Sequence, residues 1–263
     1  MRHNEKHQSN LSTNDFSSYP EEGFEITDEL DGKSFWMLAR NRMFGEELRN
    51  LTYSLNNPKV LEIGCGNGSF LKHVSNIVDA DYTGSEMYLP GVESTQKKVP
   101  NVNVIQMDAT NIPFREHFDV VAAFDVLEHI EDDKKVIQQV HKCLKPGGAF
   151  MIAVPQYPWL WSKLDELVHH RRRYTRSELR HKLEDGGFTV EYVTSHVFFL
   201  FPLMIMNRMM SKSTGKTQDI KSFTKFGYVL NFVLNNLMRF DEILIKRRVS
   251  LPFGGTIYVI ARS

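Results

Sequence analysis

Apolar residues fall along the chain in distinct regimes. From Phe24 to about Leu55 they recur at mixed three- and four-residue spacings (Phe35, Trp36, Leu38, Ala39, Met43, Phe44, Leu48, Leu51). That is the period of an amphipathic helix or two, closed by the breaker Asn56, Asn57 and Pro58. From Val60 onward, short runs rich in Val, Ile and Phe take over, at Val60–Ile63, Tyr82–Ser85, Val102–Gln106, Phe118–Phe124 and Ala149–Val154, and predict strands. Helical stretches separate them: Ser69–Val78, Gly91–Lys98 and Asp132–Leu144, the last stopped by Lys145, Pro146, Gly147 and Gly148. Such alternation predicts a parallel sheet with crossover helices.

Beyond the fifth strand lies a polar, aromatic loop, Pro155–Tyr174. Thr175 and Glu178 then fit a capping box opening a helix to about Glu184, which Gly186 and Gly187 end. Val190–Val197 and Gly255–Ala261 read as sixth and seventh strands. Between them sits a long insert, residues 198–253. It holds an apolar run, Val197–Met206, broken by Pro202, and a helix, Tyr228–Lys246. That helix carries a polar stripe (Asn231, Asn235, Arg239, Glu242, Lys246) beside a wide apolar face (Leu230, Val233, Leu234, Leu237, Met238, Leu244). Residues 1–22 are polar, without periodicity, and read as a mobile tail. The expectation is one α/β domain over residues 23–263, with a seven-stranded, mostly parallel sheet and a helical insert before the last strand.

Composition narrows the class. The 263 residues carry 32 basic and 32 acidic side chains and 41% hydrophobic residues, enough for a full core and unlike a disordered chain. No apolar run approaches the roughly 18 to 20 residues of a membrane span, and the first thirty residues lack a signal-peptide core, so a cytoplasmic location is expected. Cys65 and Cys143 make neither a disulfide framework nor a four-ligand metal site, and no metal is expected. The zero net charge hides a split: residues 1–162 hold 15 Lys and Arg against 23 Asp and Glu, and residues 163–263 hold 17 against 9. A charge argument for nucleic acid therefore fails for the chain as a whole, and no nucleic-acid partner is expected.

The first strand runs into Glu62, Gly64, Gly66 and Gly68, a glycine turn leading into a helix. Glycine suits a backbone that takes positive φ and comes within contact of a ligand. A nicotinamide fingerprint, G-x-G-x-x-G, would need a third glycine where Ser69 stands, and no Gly-Lys-Ser/Thr of a P-loop follows. A nucleoside ligand is still implied.

Here the chain resembles the class I S-adenosylmethionine-dependent methyltransferases, whose first motif has the form E/D-x-G-x-G-x-G. Further elements follow in order: Glu86 at the end of the second strand; Met107, Asp108 and Ala109 after the third; Phe118–Val121 leading to Asp125, Val126, Leu127, Glu128, His129 and Ile130, much like the ubiquinone-biosynthesis type; and Leu144–Gly148 before the fifth. The resemblance implies a Rossmann-like fold and S-adenosylmethionine as cofactor. Gly64, Gly66 and Gly68 would cradle it, Glu86 beside Met87 would hold the ribose, and Asp108 with Ala109 would meet the adenine. Glu62 or Asp125 would balance the methionine ammonium. Ser85 stands where many relatives have Asp, so which carboxylate grips the ribose is open. Taken alone, Glu86 reads as a solvated loop acid and Asp108 as a turn former. The stretch Ser34–Arg42 looks like the F-W-x-x-A-R-x-R segment of a subset of these enzymes, in which Trp36 would lid the cofactor and Arg40 pair with its carboxylate. The plainer alternative packs Trp36 on the sheet.

Ligands of such folds sit beyond the carboxyl ends of the strands, so the Pro155–Tyr174 loop should border the transferred methyl group. The loop resembles a segment found in bacterial methyltransferases, many with unassigned or glycan-related acceptors. A hydroxyl acceptor gains from a base near neutrality, which makes His169 and His170 the candidates, with Tyr157 or Tyr174 as orienting groups. Arg171, Arg172 and Arg173 would either bind an anionic acceptor or pair with Asp165, Glu166 and Glu178. Methyl transfer to an oxygen, less readily a nitrogen, of a small-molecule, glycan or lipid-linked acceptor is the expectation. A non-catalytic cofactor-binding protein and a nicotinamide oxidoreductase are the rivals. The insert is expected to cap the acceptor pocket, while membrane contact through 197–250 and oligomerisation stay open.

Overall fold

Seven strands form one sheet in the order β3-β2-β1-β4-β5-β7-β6. They are β1 (Lys59–Ile63), β2 (Asp81–Glu86), β3 (Asn103–Gln106), β4 (Phe118–Phe124), β5 (Leu144–Pro155), β6 (Thr189–His196) and β7 (Thr256–Arg262). Only β7 runs antiparallel to its neighbours. The computed structural model describes residues 28, 29, 31–214 and 228–263. The tail expected over 1–22 lies outside the described residues.

The helices are α1 (Phe35–Thr52), α2 (Ser69–Val74), α3 (Leu89–Lys98), α4 (Asp133–Cys143), α5 (Lys163–Leu167), α6 (Arg176–Asp185), α7 (Phe201–Thr214) and α8 (Tyr228–Lys246). Both sheet faces are covered. One carries Leu61, Val121, Phe150 and Ile152 against α4 and α6, through Ile137, Val140 and Leu183. The other carries Val60, Val120 and Tyr258 against α1 and α2, through Phe44, Leu48 and Phe70. Central strands buried on both faces read as continuous apolar runs, which is why the strand pattern was so plain.

Three details depart from the sequence expectation. The Lys145–Gly148 turn does not precede β5 but bulges within it, because Leu144 already pairs with Phe118 before Ala149 pairs with Val120. Gly147, at φ +75°, carries the kink. Thr175 caps α6 by accepting from the Glu178 N–H, but Glu178 turns its carboxylate to Lys182, and the reciprocal capping box is made by Ser162 and Asp165 at α5. The wide apolar face of α8 is only partly buried, and its polar stripe makes contacts of its own. Asn231 accepts from the Phe35 N–H, while Asn235 and Glu242 both accept from Arg42, so the stripe packs on α1. Leu230 and Val233 are left exposed instead.

The charge split also finds its place. Cations of the later segment pair with acids of the earlier one: Arg171 with Glu131, Arg172 and Lys182 with Asp133, Lys246 with Glu46, and Arg248 with Glu47.

Phe44 joins α1 to the sheet. It is fully buried, with its ring stacked 4.0 Å from Phe124 and 5.0 Å from Tyr258. Phe44→Ala is predicted to destabilise the fold by about 3–5 kcal/mol, the cost of a large aromatic cavity, as measured by urea denaturation.

Candidate functional site

The carboxyl ends of β1 to β5 converge on one edge, and the glycine turn after β1 shapes it. Gly64, Gly66 and Gly68 have φ of +66°, +56° and +74°, the left-handed region that a β-carbon disfavours. A β-carbon on Gly64 would meet Val126 at 2.5 Å, and one on Gly68 would meet Thr95 at 2.8 Å. On Gly66 it would meet nothing within 4 Å. Packing thus requires the outer two glycines, whereas Gly66 faces open space of the kind a ligand fills.

Beside it, the Glu86 carboxylate accepts from the backbone N–H of Gly66 (3.0 Å), Met87 (2.8 Å) and Tyr88 (3.2 Å). Burial raises its pKa against these three bonds. Ser85 is buried and donates to the Glu62 carbonyl at 3.3 Å, so Glu86 is the group at the strand end. The Met87 carbonyl accepts from Gln106 at 2.9 Å. After β3, Asp108 accepts from the N–H (2.7 Å) and hydroxyl (2.9 Å) of Thr110, holding its own turn, and Ala109 is buried behind it.

At the other end of the groove the balance is different. Glu62 is buried and its Oε2 has no hydrogen-bond partner. Burial, against the nearby Arg40 charge and with that of Glu86, pushes its pKa up to about 8. Arg40 donates to Asp125 at 2.8 Å, and Asp125 itself sits at φ +57°. Trp36 is half-buried against the insert, in a cluster with Ala39, Val197, Leu200, Leu234 and Met238, its ring 5.7 Å from that of His196. His196, which no local pattern singles out, is fully buried with neither ring nitrogen hydrogen-bonded, and burial brings its pKa down to about 3.

On the acceptor side, the two candidate histidines part company. His169 is exposed at φ +58°. His170 turns inward, its Nδ1 2.9 Å from Asp165 Oδ1 and its Nε2 3.8 Å from Glu128 Oε1. Asp165 also accepts from Arg173 (2.7 Å) and Arg208 (3.0 Å). Although burial opposes it, these partners and His170 hold its carboxyl well below the usual range. Of the acids proposed for the arginine triplet only Asp165 serves; Arg171 and Arg172 pair with Glu131 and Asp133. Tyr157, at φ +65°, packs its ring near Trp159 and Phe201. Tyr174 is buried and donates to Asp133 at 2.7 Å, which makes it part of the core.

Glu128 was quoted in the sequence only as part of a motif. It is fully buried, and neither carboxylate oxygen has a hydrogen-bond partner, His170 Nε2 standing 3.8 Å from Oε1. Burial and the neighbouring Asp125 hold its carboxyl well above the usual range. Its counterpart His170 lies on a separate loop, and that juxtaposition has no local sequence signal.

The methyltransferase domain family matches residues 35–193. Among curated relatives, a Mycolicibacterium smegmatis protein described as a probable S-adenosylmethionine-dependent methyltransferase is 24% identical, over 66% of this chain and 67% of its own length. The ubiquinone biosynthesis O-methyltransferase of Acinetobacter baumannii is 21% identical, over 52% of this chain and 65% of its own. The chain thus spans about two thirds of these relatives. In fold it is similar to Haemonchus contortus phosphoethanolamine N-methyltransferase 2, solved with S-adenosylmethionine, with a TM-score of 0.63 and 17% identity over 95% of this chain and 58% of the other. The nicotinamide alternative finds no support in these likenesses.

The raised pKa of Glu62 makes a stability prediction for the ligand-free protein. Its stabilising share is full below about 4.5, where the unfolded group is also protonated, and is lost as pH rises towards about 8. Glu62→Gln should therefore remove up to about 1.4 kcal/mol per pH unit from the downward slope of stability between pH 5 and 8. Identical slopes in urea denaturation series of the two proteins would refute it.

Proposed function

Because the chain belongs to this family of S-adenosylmethionine-dependent methyltransferases, we propose that it methylates an oxygen, in preference to a nitrogen, of a small-molecule, glycan or lipid-linked acceptor. The cofactor end fits the ligand. Glu86 Oε2 accepts one hydrogen bond, from Gly66, and has lone-pair capacity left for a ribose hydroxyl. The open space at Gly66 leaves room for a nucleoside, and on this reading Met87, Asp108 and Ala109 would line its adenine side. Glu62, with its Oε2 unbonded, and the Arg40–Asp125 pair would supply one acid for an ammonium and an exchangeable cation–anion couple for an amino-acid zwitterion. Trp36 closes that end with its apolar ring.

Bound S-adenosylmethionine supplies a methyl group on a sulfonium whose thioether is already a good leaving group. The chain's own task is then positioning, exclusion of water and handling the acceptor's proton. An alcohol or phenol must shed a proton to attack well, whereas a neutral amine already has its lone pair. The observation that carries the oxygen reading is the inward-facing cluster of Glu128, His129 and His170, one turn beyond Asp125 and braced by Asp165. Arg208 of α7 reaches over this loop to Ser162 and Asp165, which supports the insert as a cap on the acceptor side.

Titration calorimetry with the cofactor and its demethylated product tests the cofactor end. Glu86→Ala should weaken binding by about 1–3 kcal/mol, the range for a hydrogen bond to a charged group. Gly66→Val should abolish it at a cost of about 1–2 kcal/mol in stability, since the new side chain enters ligand space and not packed core but must hold φ near +56°. Wild-type affinity in a folded Gly66→Val protein would overturn the assignment. For the acceptor, incubation of cell extract with a methyl-labelled cofactor should yield a product whose NMR signal is that of a methoxy group; an N-methyl signal would overturn the oxygen reading.

A further inference from the structure

We infer that Glu128, His129 and His170 form a binding site for one divalent transition-metal ion of the zinc class. Their ligand atoms lie within 4.8 Å of one another, the one such group of His, Cys and acidic side chains found among the described residues. The sequence expectation of no metal rested on cysteine count, and this set uses no cysteine.

The first support is Glu128. A carboxyl group at zero exposure with both oxygens unbonded is costly, and buried polar groups ordinarily find partners. A cation is the partner that would satisfy it. The second support is how the imidazoles are held. Metal-bound histidines typically donate their other ring N–H to a carboxylate or backbone carbonyl, which fixes the tautomer and aims the free nitrogen. Here Asp165 Oδ1 holds His170 Nδ1 at 2.9 Å, leaving Nε2 towards Glu128. The backbone of His169 holds the His129 ring, and the two rings meet edge to face with centroids 4.8 Å apart. His169 takes φ +58° at this point. Asp165 is in turn locked by Arg173, Arg208 and Ser162, so the brace behind His170 is itself rigid.

The chemistry of the donors selects the ion. Two imidazoles and one carboxylate suit zinc and its neighbours over magnesium or calcium, which prefer all-oxygen sets. Bonds of about 2.0–2.1 Å in a tetrahedron place ligand atoms roughly 3.4 Å apart, so the 3.8 Å between His170 Nε2 and Glu128 Oε1, and the 4.8 Å that bounds the whole set, call for the side chains to close on the ion as it binds. Three protein ligands leave a position open, as in catalytic zinc sites. On the methyl-transfer reading, an acceptor hydroxyl entering that position would lose its proton more readily. This consequence rests on that reading; the ion site does not.

The test uses the full chain, stripped with a chelator and titrated with zinc alone by calorimetry, with magnesium as the comparison. The expected result is one equivalent of zinc bound and no magnesium. Glu128→Gln and His170→Ala should each weaken zinc by at least about 10-fold, the lower bound for losing a supporting or direct ligand, while His169→Asn leaves it unchanged. Retained binding of the demethylated cofactor product certifies that each variant is folded. Should a variant fail to fold, cobalt(II) in the wild-type protein decides: an intense visible band supports a low-coordinate site, and the weak spectrum of the hydrated ion overturns it. Absence of zinc binding by the wild type, or affinity indifferent to both substitutions, also overturns the site. Zinc bound without any methoxy product would count against the oxygen reading alone.

Discussion

Three backbone N–H groups converge on one side chain, and the cofactor end of the site is organised around that convergence. By accepting from Gly66, Met87 and Tyr88, the Glu86 carboxylate ties the glycine turn after β1 to the tip of β2. The turn can meet this carboxylate only because Gly64 and Gly68 take left-handed backbone where Val126 and Thr95 leave no room for a β-carbon. Sheet order does the rest. With β1 at the centre between β2 and β4, the acids at the ends of these strands fall on one edge in sequence. The same few residues that close the turn therefore set the groove's width and its polarity.

That polarity is unevenly compensated. Glu86 is well bonded and Asp165 is surrounded by cations, whereas Glu62 and Glu128 are buried with oxygens left bare. On the proposed reading, the bare acids lie at the two places where positive charge would come from outside, the amino-acid end of the cofactor and the acceptor side. A fold that leaves such groups unsatisfied gives up stability for preorganisation, because nothing need rearrange when the compensating charge arrives.

Much of this was legible in the chain. Strands buried on both faces announce themselves as unbroken apolar runs, and the acids of the motifs follow those runs at fixed offsets, so Glu62, Glu86 and Asp125 could be placed from sequence. What was not legible depends on partners distant along the chain. Nothing near the polar stripe of α8 in sequence reveals that Arg42 packs on it. His169 and His170 are adjacent and identical in kind, and only the fold decides that the second meets Asp165 and Glu128 while the first faces solvent. Tyr174 resembled a functional tyrosine until Asp133 took its hydroxyl. Local pattern predicts elements well and pairing between elements poorly.

The opposite charges of the two segments mean that neutrality belongs to the folded molecule and not to its parts. A nascent or proteolytically released fragment ending near residue 162 would be strongly acidic and would lack the arginines that neutralise Glu47, Glu131 and Asp133, as well as β7, which pairs with β5, and β6 beyond it. Such a fragment would repel its own kind and stay dispersed until the cationic segment arrived. The charge division would thus add like-charge repulsion between unfinished chains for as long as the β5 edge that β7 covers is still open.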